Sequence, residues 1–212
     1  MSPALVFGLG TGRCGTTSLA RLLDLQPGWE VFHEYFAYDL PADPEAARPF
    51  VDAFLARAAR SRHEVVGDVF SAWLYSLDRI LDRAPEARFV CLKRDRTGTV
   101  RSFDRWSGPR NFWVAHDGRR WQSDPWDHCF PKFAAVDKAE AIGLYWDDYY
   151  DRAETFAAEM PDRFRIFPMA ALNHEDGQRE ITSFCGLPAD RFRPLLRPRH
   201  NQSAGARHLQ RP

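Results

Sequence analysis

Residues 4–23, ALVFGLGTGRCGTTSLARLL, place an apolar run, a glycine-rich turn and a helical pattern directly after one another. The apolar run at residues 4–7 predicts a buried strand, and Leu19, Leu22 and Leu23 fall on one face of a helix. A strand followed by such a turn and a helix forms an anion site, because the free N–H groups of the first helical turn and the helix dipole both favour negative charge. The sequence therefore predicts that a phosphate or a similar anion binds at this turn.

The side chains of the turn favour anion binding but depart from the loop of ATPases and GTPases. Arg13 supplies a positive charge, and three hydroxyl residues follow at 16–18. In the nucleotide-hydrolase loop G-x-x-x-x-G-K-[ST], a lysine reaches the β- and γ-phosphates. Gly10 and Gly15 keep that spacing here, but Thr16 stands in the lysine position. A turn that serves only to pack the helix on the strand is the alternative, and it does not account for Arg13 and the hydroxyl groups.

Strand and helix patterns alternate along the rest of the chain. This alternation predicts an α/β fold of three layers, with a mainly parallel central sheet flanked by helices, and 212 residues suit one domain. Residues 106–136 show no clear period and are interpreted as a lid or acceptor loop, and residues from about 200 to 212 as a flexible tail. Further strands are predicted at 30–32, 65–68, 88–92 and 163–167, and helices at 44–58, 71–84, 97–103, 142–160 and 178–185. The helix at 44–58 has a good N-cap in Asp43, followed by Pro44 at the first helical position.

Composition and charge argue against several classes of protein. Basic and acidic residues number 29 each, so the formal net charge is zero, and no nucleic-acid or membrane partner is expected. Residues 93–120 nevertheless carry eight cations against three acids, and residues 191–212 carry six arginines and no acid, as a polyanionic ligand requires. No apolar run reaches the ~20 residues that span a bilayer. Four widely spaced cysteines predict reduced thiols in a cytoplasmic protein, with no metal cluster, and nothing indicates the oligomeric state.

A second motif complements the first turn. Arg94 follows the predicted strand at 88–92 (RFVCL), and Ser102 comes eight residues later. Because parallel sheets bind ligands beyond the carboxyl ends of their strands, Arg13 and Arg94 are expected to face one crevice. With the run GTGRCGTTSL at 10–19, this pair resembles the sulfotransferases that use 3′-phosphoadenosine 5′-phosphosulfate (PAPS), and FCGLP at 184–188 is similar to a late segment of that family. The resemblance implies a P-loop-like sulfotransferase fold in which the first turn binds the 5′-phosphate and the Arg–Ser pair binds the 3′-phosphate. It assigns donor binding to Arg13, Cys14, Gly15, Thr16, Thr17, Ser18, Arg94 and Ser102, with Cys14 in place of a more usual serine.

The resemblance also implies a reaction. A sulfuryl group moves from PAPS to a hydroxyl or amine of a small-molecule or carbohydrate acceptor, which leaves adenosine 3′,5′-bisphosphate (PAP), and no metal is required. Arg13 neutralises the charge that builds on the bridging oxygen. Glu34 is the first candidate for the base that takes the acceptor's proton, and His33 is the second. Asp68, at the end of a predicted strand, is expected either to orient the base or acceptor or to act as a structural cap.

Two other functions stay open at the level of sequence. One is a P-loop kinase-like phosphotransferase, which needs a replacement for the missing lysine, and the other is a non-catalytic nucleotide-binding protein. The Trp and His residues between 106 and 130 are candidates for stacking on an acceptor or on adenine, although simple packing is the favoured explanation for each of them. The basic run at 197–203 is a candidate for closing over the 3′-phosphate, but it does not match the family's form.

Overall fold

The computed structural model describes residues 2–116 and 119–196, and in that part of the chain five strands and six α-helices alternate. The predicted α/β class is therefore confirmed. The strands are β1 (Ala4–Leu9), β2 (Trp29–His33), β3 (Val65–Val69), β4 (Arg88–Lys93) and β5 (Phe164–Pro168). The α-helices are α1 (Thr16–Asp24), α2 (Pro44–Ala59), α3 (Leu77–Arg83), α4 (Arg96–Ser107), α5 (Lys138–Glu159) and α6 (Glu175–Phe184). Short 3₁₀ helices lie at Ala37–Asp39, Ser71–Ser76, Pro125–Cys129, Met169–Asn173 and Ala189–Arg191.

The sheet has the strand order β2-β3-β1-β4-β5, and every neighbouring pair is parallel. β1 lies at the centre, between β3 and β4. The connection after β1 runs through α1 to β2 at one edge, whereas the connection after β4 runs through α4 and α5 to β5 at the other edge. Such a divergence opens a crevice beyond the carboxyl ends of the central strands, where open α/β sheets bind ligands.

Two apolar cores cover the two faces of the sheet. Successive residues of a strand point to opposite faces. Accordingly, Phe7 and Phe89 stack with ring centroids 5.6 Å apart in the core that α2, α3, α4 and α5 cover. Val6 and Val90 belong to the opposite core, which α1 and α6 cover. The result is the predicted arrangement of three layers, with helices on both sides of the sheet.

Three helices begin at aspartates whose side chains accept a hydrogen bond from the first turn. Asp43 precedes Pro44 at the start of α2, as the sequence predicts, and Asp95 and Asp137 cap α4 and α5. α4 begins one residue before its predicted span and ends four residues after it, and α5 begins four residues before its predicted span. The helix predicted from Ser71 begins instead as a 3₁₀ helix and becomes α-helical only at α3.

The segment at 106–136 is mostly irregular, as predicted, but three of its aromatic side chains anchor it in the core. Phe112 and Trp113 are fully buried and Phe130 is 6% exposed. Its role as a lid or acceptor loop stays a prediction, as does the single domain. The predicted tail at 200–212 and the basic run at 197–203 lie outside the described residues.

None of the helices in residues 2–116 and 119–196 combines the length and the apolar composition that crossing a bilayer requires. The four cysteines, at positions 14, 91, 129 and 185, are buried and form no disulfide with one another.

Candidate functional site

The residues that follow the five strands surround one cavity of about 720 Å³. Parallel strands end at the same edge of a sheet, so side chains far apart in the sequence meet there. Every residue to which the sequence analysis assigned donor binding or proton transfer lines this cavity except Cys14, and the further candidate Asp68 does not line it. The strands contribute, in chain order, Gly12 after β1, Glu34 after β2, Ser71 after β3, Arg94 after β4 and Met169 after β5.

The turn after β1 presents the start of α1 to the cavity. Gly15 precedes the helix in the left-handed region, with φ 97°, and as a glycine it supplies no side-chain cap. In this respect α1 differs from α2, α4 and α5, whose first turns donate to aspartate. Arg13 also adopts a left-handed φ of 56°, a conformation that costs a non-glycine residue about 1 kcal/mol or more. The turn thus brings the N-terminus of α1 and a cation to the cavity.

Cys14 contributes no side chain to the cavity. Its thiol is fully buried beneath the turn, where desolvation raises its pKa to about 11. Gly10 has to be glycine here, because a Cβ at that position would lie 2.5 Å from the Cys14 sulfur, and the φ of Gly10 is 142°. A donor-binding role for Cys14 is therefore confined to its backbone N–H group.

Tyrosines of α5 hold the turn from below. The Tyr149 hydroxyl accepts a hydrogen bond from the Gly10 N–H group at 2.9 Å and donates to the Ser71 carbonyl at 3.1 Å. The Tyr145 hydroxyl donates to the Thr11 carbonyl at 3.0 Å. All of these groups are buried, and desolvation raises the pKa of both phenols, so they stay neutral. The sequence predicted the helical spacing of these tyrosines but not the polar contacts of their hydroxyls.

Arg94 and Ser102 reach the first turn from the other side of the crevice. The Arg94 guanidinium donates to the Arg13 carbonyl at 2.9 Å, and the Arg13 Nε donates to the Ser102 hydroxyl at 3.3 Å. The Trp146 indole N–H donates to the Arg94 carbonyl at 3.0 Å and fixes the end of β4. Burial and the charge of Arg94 both lower the pKa of Arg13. The expectation that Arg13 and Arg94 face one crevice is confirmed.

His33 is occupied by the hydroxyls of the first turn. Its Nε2 lies 3.3 Å from the Thr16 hydroxyl and 3.4 Å from the Thr17 hydroxyl. Burial, with a smaller effect from the charge of Arg21, lowers the pKa of His33 to about 4. The imidazole is therefore neutral at physiological pH, and its Nε2 orients threonine hydroxyls at the start of α1.

Glu34 lies directly beyond β2, in a left-handed conformation with φ 57°. Its N–H group donates to the Val69 carbonyl at 3.2 Å, which ties the turn to the end of β3. Desolvation raises the pKa of Glu34 to about 7, and the negative charge of Asp68 adds to that rise, whereas Arg13 opposes it. A carboxyl group with this pKa changes between acid and base near neutral pH, as a general base requires.

Asp68 supports the turn that carries Glu34. It is fully buried at β3, and its two carboxylate oxygens accept from the Tyr35 N–H group at 3.1 Å and from the Trp73 indole N–H group at 2.7 Å. Desolvation raises the pKa of Asp68 to about 6. Because Asp68 does not line the cavity, it acts on Glu34 through the backbone of the next residue and through its charge.

Five aromatic rings line the cavity and form an aromatic wall: Phe70, Phe103, Trp106, Trp126 and Phe130. The ring centroids of Trp106 and Trp126 lie 6.5 Å apart, and those of Phe70 and Trp126 lie 6.1 Å apart. The Arg13 guanidinium lies 5.8 Å from the centroid of the Trp106 ring. Among the Trp and His residues that were candidates for stacking on a ligand, Trp113 is fully buried in the core, whereas Trp106 and Trp126 line the cavity.

Sequence reasoning missed several residues of the cavity. Arg101 and Arg105 line it, although the sequence counted them only toward a basic segment. Arg105 lies four residues after Arg101 and three after Ser102, and these spacings are a signal that could have placed the two arginines on one helical face. Ser71 and Asn173 line it as well, and no local pattern marks them.

No family model matches this chain, and no curated protein matches it either. In the described part of the chain, the His, Cys, Asp and Glu side chains form no group of three or more that could hold a metal ion.

Proposed function

We propose that this protein transfers a sulfuryl group from PAPS to a hydroxyl or amine of an acceptor, and that its sheet belongs to the P-loop-like sulfotransferase type. One observation carries the proposal. The two motifs that resemble PAPS sites lie 81 residues apart in the chain but meet in one cavity, where Arg94 donates to the Arg13 carbonyl. A shared crevice is what two phosphate-binding turns need in order to hold opposite ends of the same nucleotide.

The donor half of the cavity consists of the turn after β1, Arg94 and Ser102. The start of α1 and the Thr16 and Thr17 hydroxyls suit the 5′-phosphate, because a helix N-terminus favours an anion. Arg94 and Ser102 suit the 3′-phosphate, because guanidinium groups pair with phosphate through charge-assisted hydrogen bonds. Arg13, between them, contacts Ser102 and faces the place where the 5′ end reacts.

The acceptor half consists of Glu34 and the aromatic wall. In the proposed step an oxygen or nitrogen of the acceptor forms a bond to sulfur, and the bond from sulfur to the bridging oxygen of the 5′-phosphate breaks. The electron pair of that bond leaves with PAP, where Arg13 stabilises the charge. The acceptor's proton goes to the Glu34 carboxylate, and the sulfated acceptor departs.

Glu34 is favoured over His33 as the base. The Nε2 of His33 already contacts two threonine hydroxyls, and the low pKa of His33 makes it a weak base. Glu34 lines the cavity, and its pKa of about 7 keeps a basic carboxylate available near neutral pH. His33 is assigned instead to orienting the hydroxyls that hold the 5′-phosphate.

Calorimetry with three nucleotides tests the proposal. We expect PAP to bind at least about tenfold more tightly than adenosine 5′-phosphate, because only PAP carries the 3′-phosphate that Arg94 and Ser102 receive. Magnesium-dependent binding of ATP that exceeds binding of PAP would favour the phosphotransferase instead. Binding of PAP without any sulfated product, after PAPS is incubated with a broad acceptor panel and analysed by mass spectrometry, would favour a non-catalytic nucleotide-binding protein.

A further inference from the structure

One face of α4 forms a side of the cavity. Gly98, Arg101, Ser102, Arg105 and Trp106 all line it, at the spacing that places residues on one side of a helix. The face therefore presents two arginines, four residues apart, on either side of the hydroxyl that contacts Arg13.

Neither arginine has a partner in the described part of the chain. Arg101 and Arg105 make no hydrogen bond or ion pair with any residue of 2–116 or 119–196, although both are exposed. Exposed arginines on other helices behave differently, since Arg48, Arg152 and Arg179 each pair with an acid of their own helix. Like charges four residues apart repel one another on a helix, so this arrangement is locally unfavourable unless an anion lies against it.

Arg105 lies beyond Ser102 along α4. Ser102 belongs to the donor half, because it accepts from Arg13, and Arg105 lies about one helical turn farther along the helix. Arg105 is next in the chain to Trp106, whose ring lies 5.8 Å from the Arg13 guanidinium and 6.5 Å from Trp126, so this ring connects the two halves of the cavity. The aromatic wall continues through Phe70, which directly follows β3, and the Glu34 backbone is hydrogen-bonded to the end of β3. The wall thus leads from the helical turn that carries Arg105 toward the turn that carries Glu34.

The charges of this half complement an anionic compound. Glu34 is the one acidic side chain among the described residues that line the cavity, against four arginines. An anionic acceptor must approach an anionic donor, and the repulsion between them is relieved only where cations lie close to both. Arg101 and Arg105 both line the cavity in which donor and acceptor meet.

We infer that the acceptor is itself an anion that carries an oxyanionic group in addition to its reacting hydroxyl or amine. This inference rests on the proposed function. The reacting group lies at Glu34, a flat or apolar body lies against the aromatic wall, and Arg105 binds the oxyanionic group, with Arg101 at its side. The substrate class is therefore hydroxylated or aminated carboxylates, sulfates or phosphates with an apolar body, and not neutral alcohols.

The test compares two probes that differ in charge and hardly in shape, 4-hydroxybenzoate and 4-hydroxybenzamide, in calorimetric titrations of the PAP-saturated protein. We expect the wild type to bind the benzoate at least about tenfold more tightly than the amide, because only the benzoate forms a charge-assisted pair with Arg105. Arg105→Gln is expected to reduce this preference to less than about threefold and to leave the affinity for PAP within about threefold. Arg96→Gln is the matched control in the same helix, since Arg96 pairs with Asp147 outside the cavity, and it is expected to keep the full preference.

Three results would overturn the inference. The first is equal binding of both probes, or binding of neither, by the PAP-saturated wild type. The second is a preference that survives in Arg105→Gln. The third is a loss of PAP affinity of about tenfold or more in Arg105→Gln, which would assign Arg105 to the donor. Failure of PAP to bind to the wild type is a different result, because it removes the proposed function itself.

Discussion

The donor half of the cavity is held by hydrogen bonds to backbone groups, whereas the acceptor half is held mainly by packed rings and by one buried carboxylate. In the donor half, Tyr149 and Tyr145 from α5 fix the turn after β1, and Arg94 fixes its carbonyl. In the acceptor half, Asp68 holds the turn after β2, while the rings of the aromatic wall pack against one another.

This difference indicates how the two halves respond to a change in sequence. Hydrogen bonds between buried groups have narrow geometry, and a group that loses its partner costs about 1–3 kcal/mol. Packed rings tolerate exchange of one apolar shape for another at a smaller cost. The donor half is thus suited to one fixed ligand, and the acceptor half is the part in which a change in side chains alters what is bound.

Glu34→Gln is expected to produce the largest effect, and only on the reaction. A general base contributes about 10²–10⁴-fold to the rate, so PAP formation from PAPS and an acceptor should fall by that factor, while the affinity for PAP stays unchanged. His33→Gln should lower the rate by less than about tenfold, because His33 orients hydroxyls and does not take the proton. Glu30→Gln is the control on β2, the strand that precedes Glu34, because Glu30 pairs with Arg57 away from the cavity. Equal losses in the Glu34 and His33 variants would contradict the assignment of the base.

Arg94→Ala is expected to weaken the donor half selectively. The loss of a charge-assisted pair with the 3′-phosphate should lower the affinity for PAP by about 30- to 100-fold. The affinity for adenosine 5′-phosphate, which lacks that group, should fall by less than about threefold. This smaller loss comes from the missing hydrogen bond to the Arg13 carbonyl. Arg96→Ala is the control in the same calorimetric titrations, because Arg96 pairs with Asp147 outside the cavity. Equal losses for both nucleotides would mean that Arg94 does not bind the 3′-phosphate.

Asp68→Asn tests how the acceptor half is held and gives a dependence on pH. In the wild type the rate should rise with pH through about 7, because Glu34 must lose its proton to act as a base. Removal of the negative charge of Asp68 should lower the pKa of Glu34 and move this rise to lower pH. Carbon-13 NMR titration of the Glu34 carboxyl measures the shift without an acceptor. An unchanged pKa of Glu34 in a folded variant would restrict Asp68 to a structural role.

The same substitution affects the stability of the fold with a definite sign. Burial raises the pKa of Asp68 from its ordinary value of 3.8 to about 6, so the folded protein binds this proton more tightly than the unfolded chain does. The stability that this proton provides is present below about pH 4 and is lost as pH rises through about 6. Urea unfolding between pH 4 and 7 should show a flatter dependence in Asp68→Asn, because asparagine does not titrate. A slope equal to that of the wild type would assign the dependence to other groups.

Tyr149→Phe should produce the smallest functional effect, through the support of the donor half. Without the hydroxyl, the buried Gly10 N–H group and Ser71 carbonyl lose their partner, which should lower the free energy of unfolding by about 2 kcal/mol. The affinity for PAP should fall by only about three- to fivefold, because the turn keeps its other contacts. Tyr75→Phe is the control, since its hydroxyl bonds to Asp148 away from the turn. If both variants lower PAP affinity equally, the turn does not depend on Tyr149.

Local pattern was sufficient for the elements and for the two motifs. Asp43 before Pro44 predicted the start of α2, and the apolar run at 88–92 predicted β4, because caps and periodicity depend on residues within about one or two turns. The positions of Arg13 and Arg94 directly after strands also predicted that they would face one crevice, since parallel strands end at one edge.

The sequence by itself determined the alternation of strands and helices and the residue types at the ends of β1 and β4. The strand order and the cavity-lining position of Arg101 and Arg105 on α4 are properties of the tertiary structure. The same holds for the hydrogen bonds from the Gly10 N–H group to the Tyr149 hydroxyl and from the Tyr35 N–H group to the Asp68 carboxylate. The two kinds of feature differ in how far apart in the chain the interacting residues lie. A cap or a period is an interaction among neighbours in the chain, whereas Tyr149 and Gly10 are 139 residues apart, and their contact exists only because the sheet places β1 beside β4 and α5 beneath them.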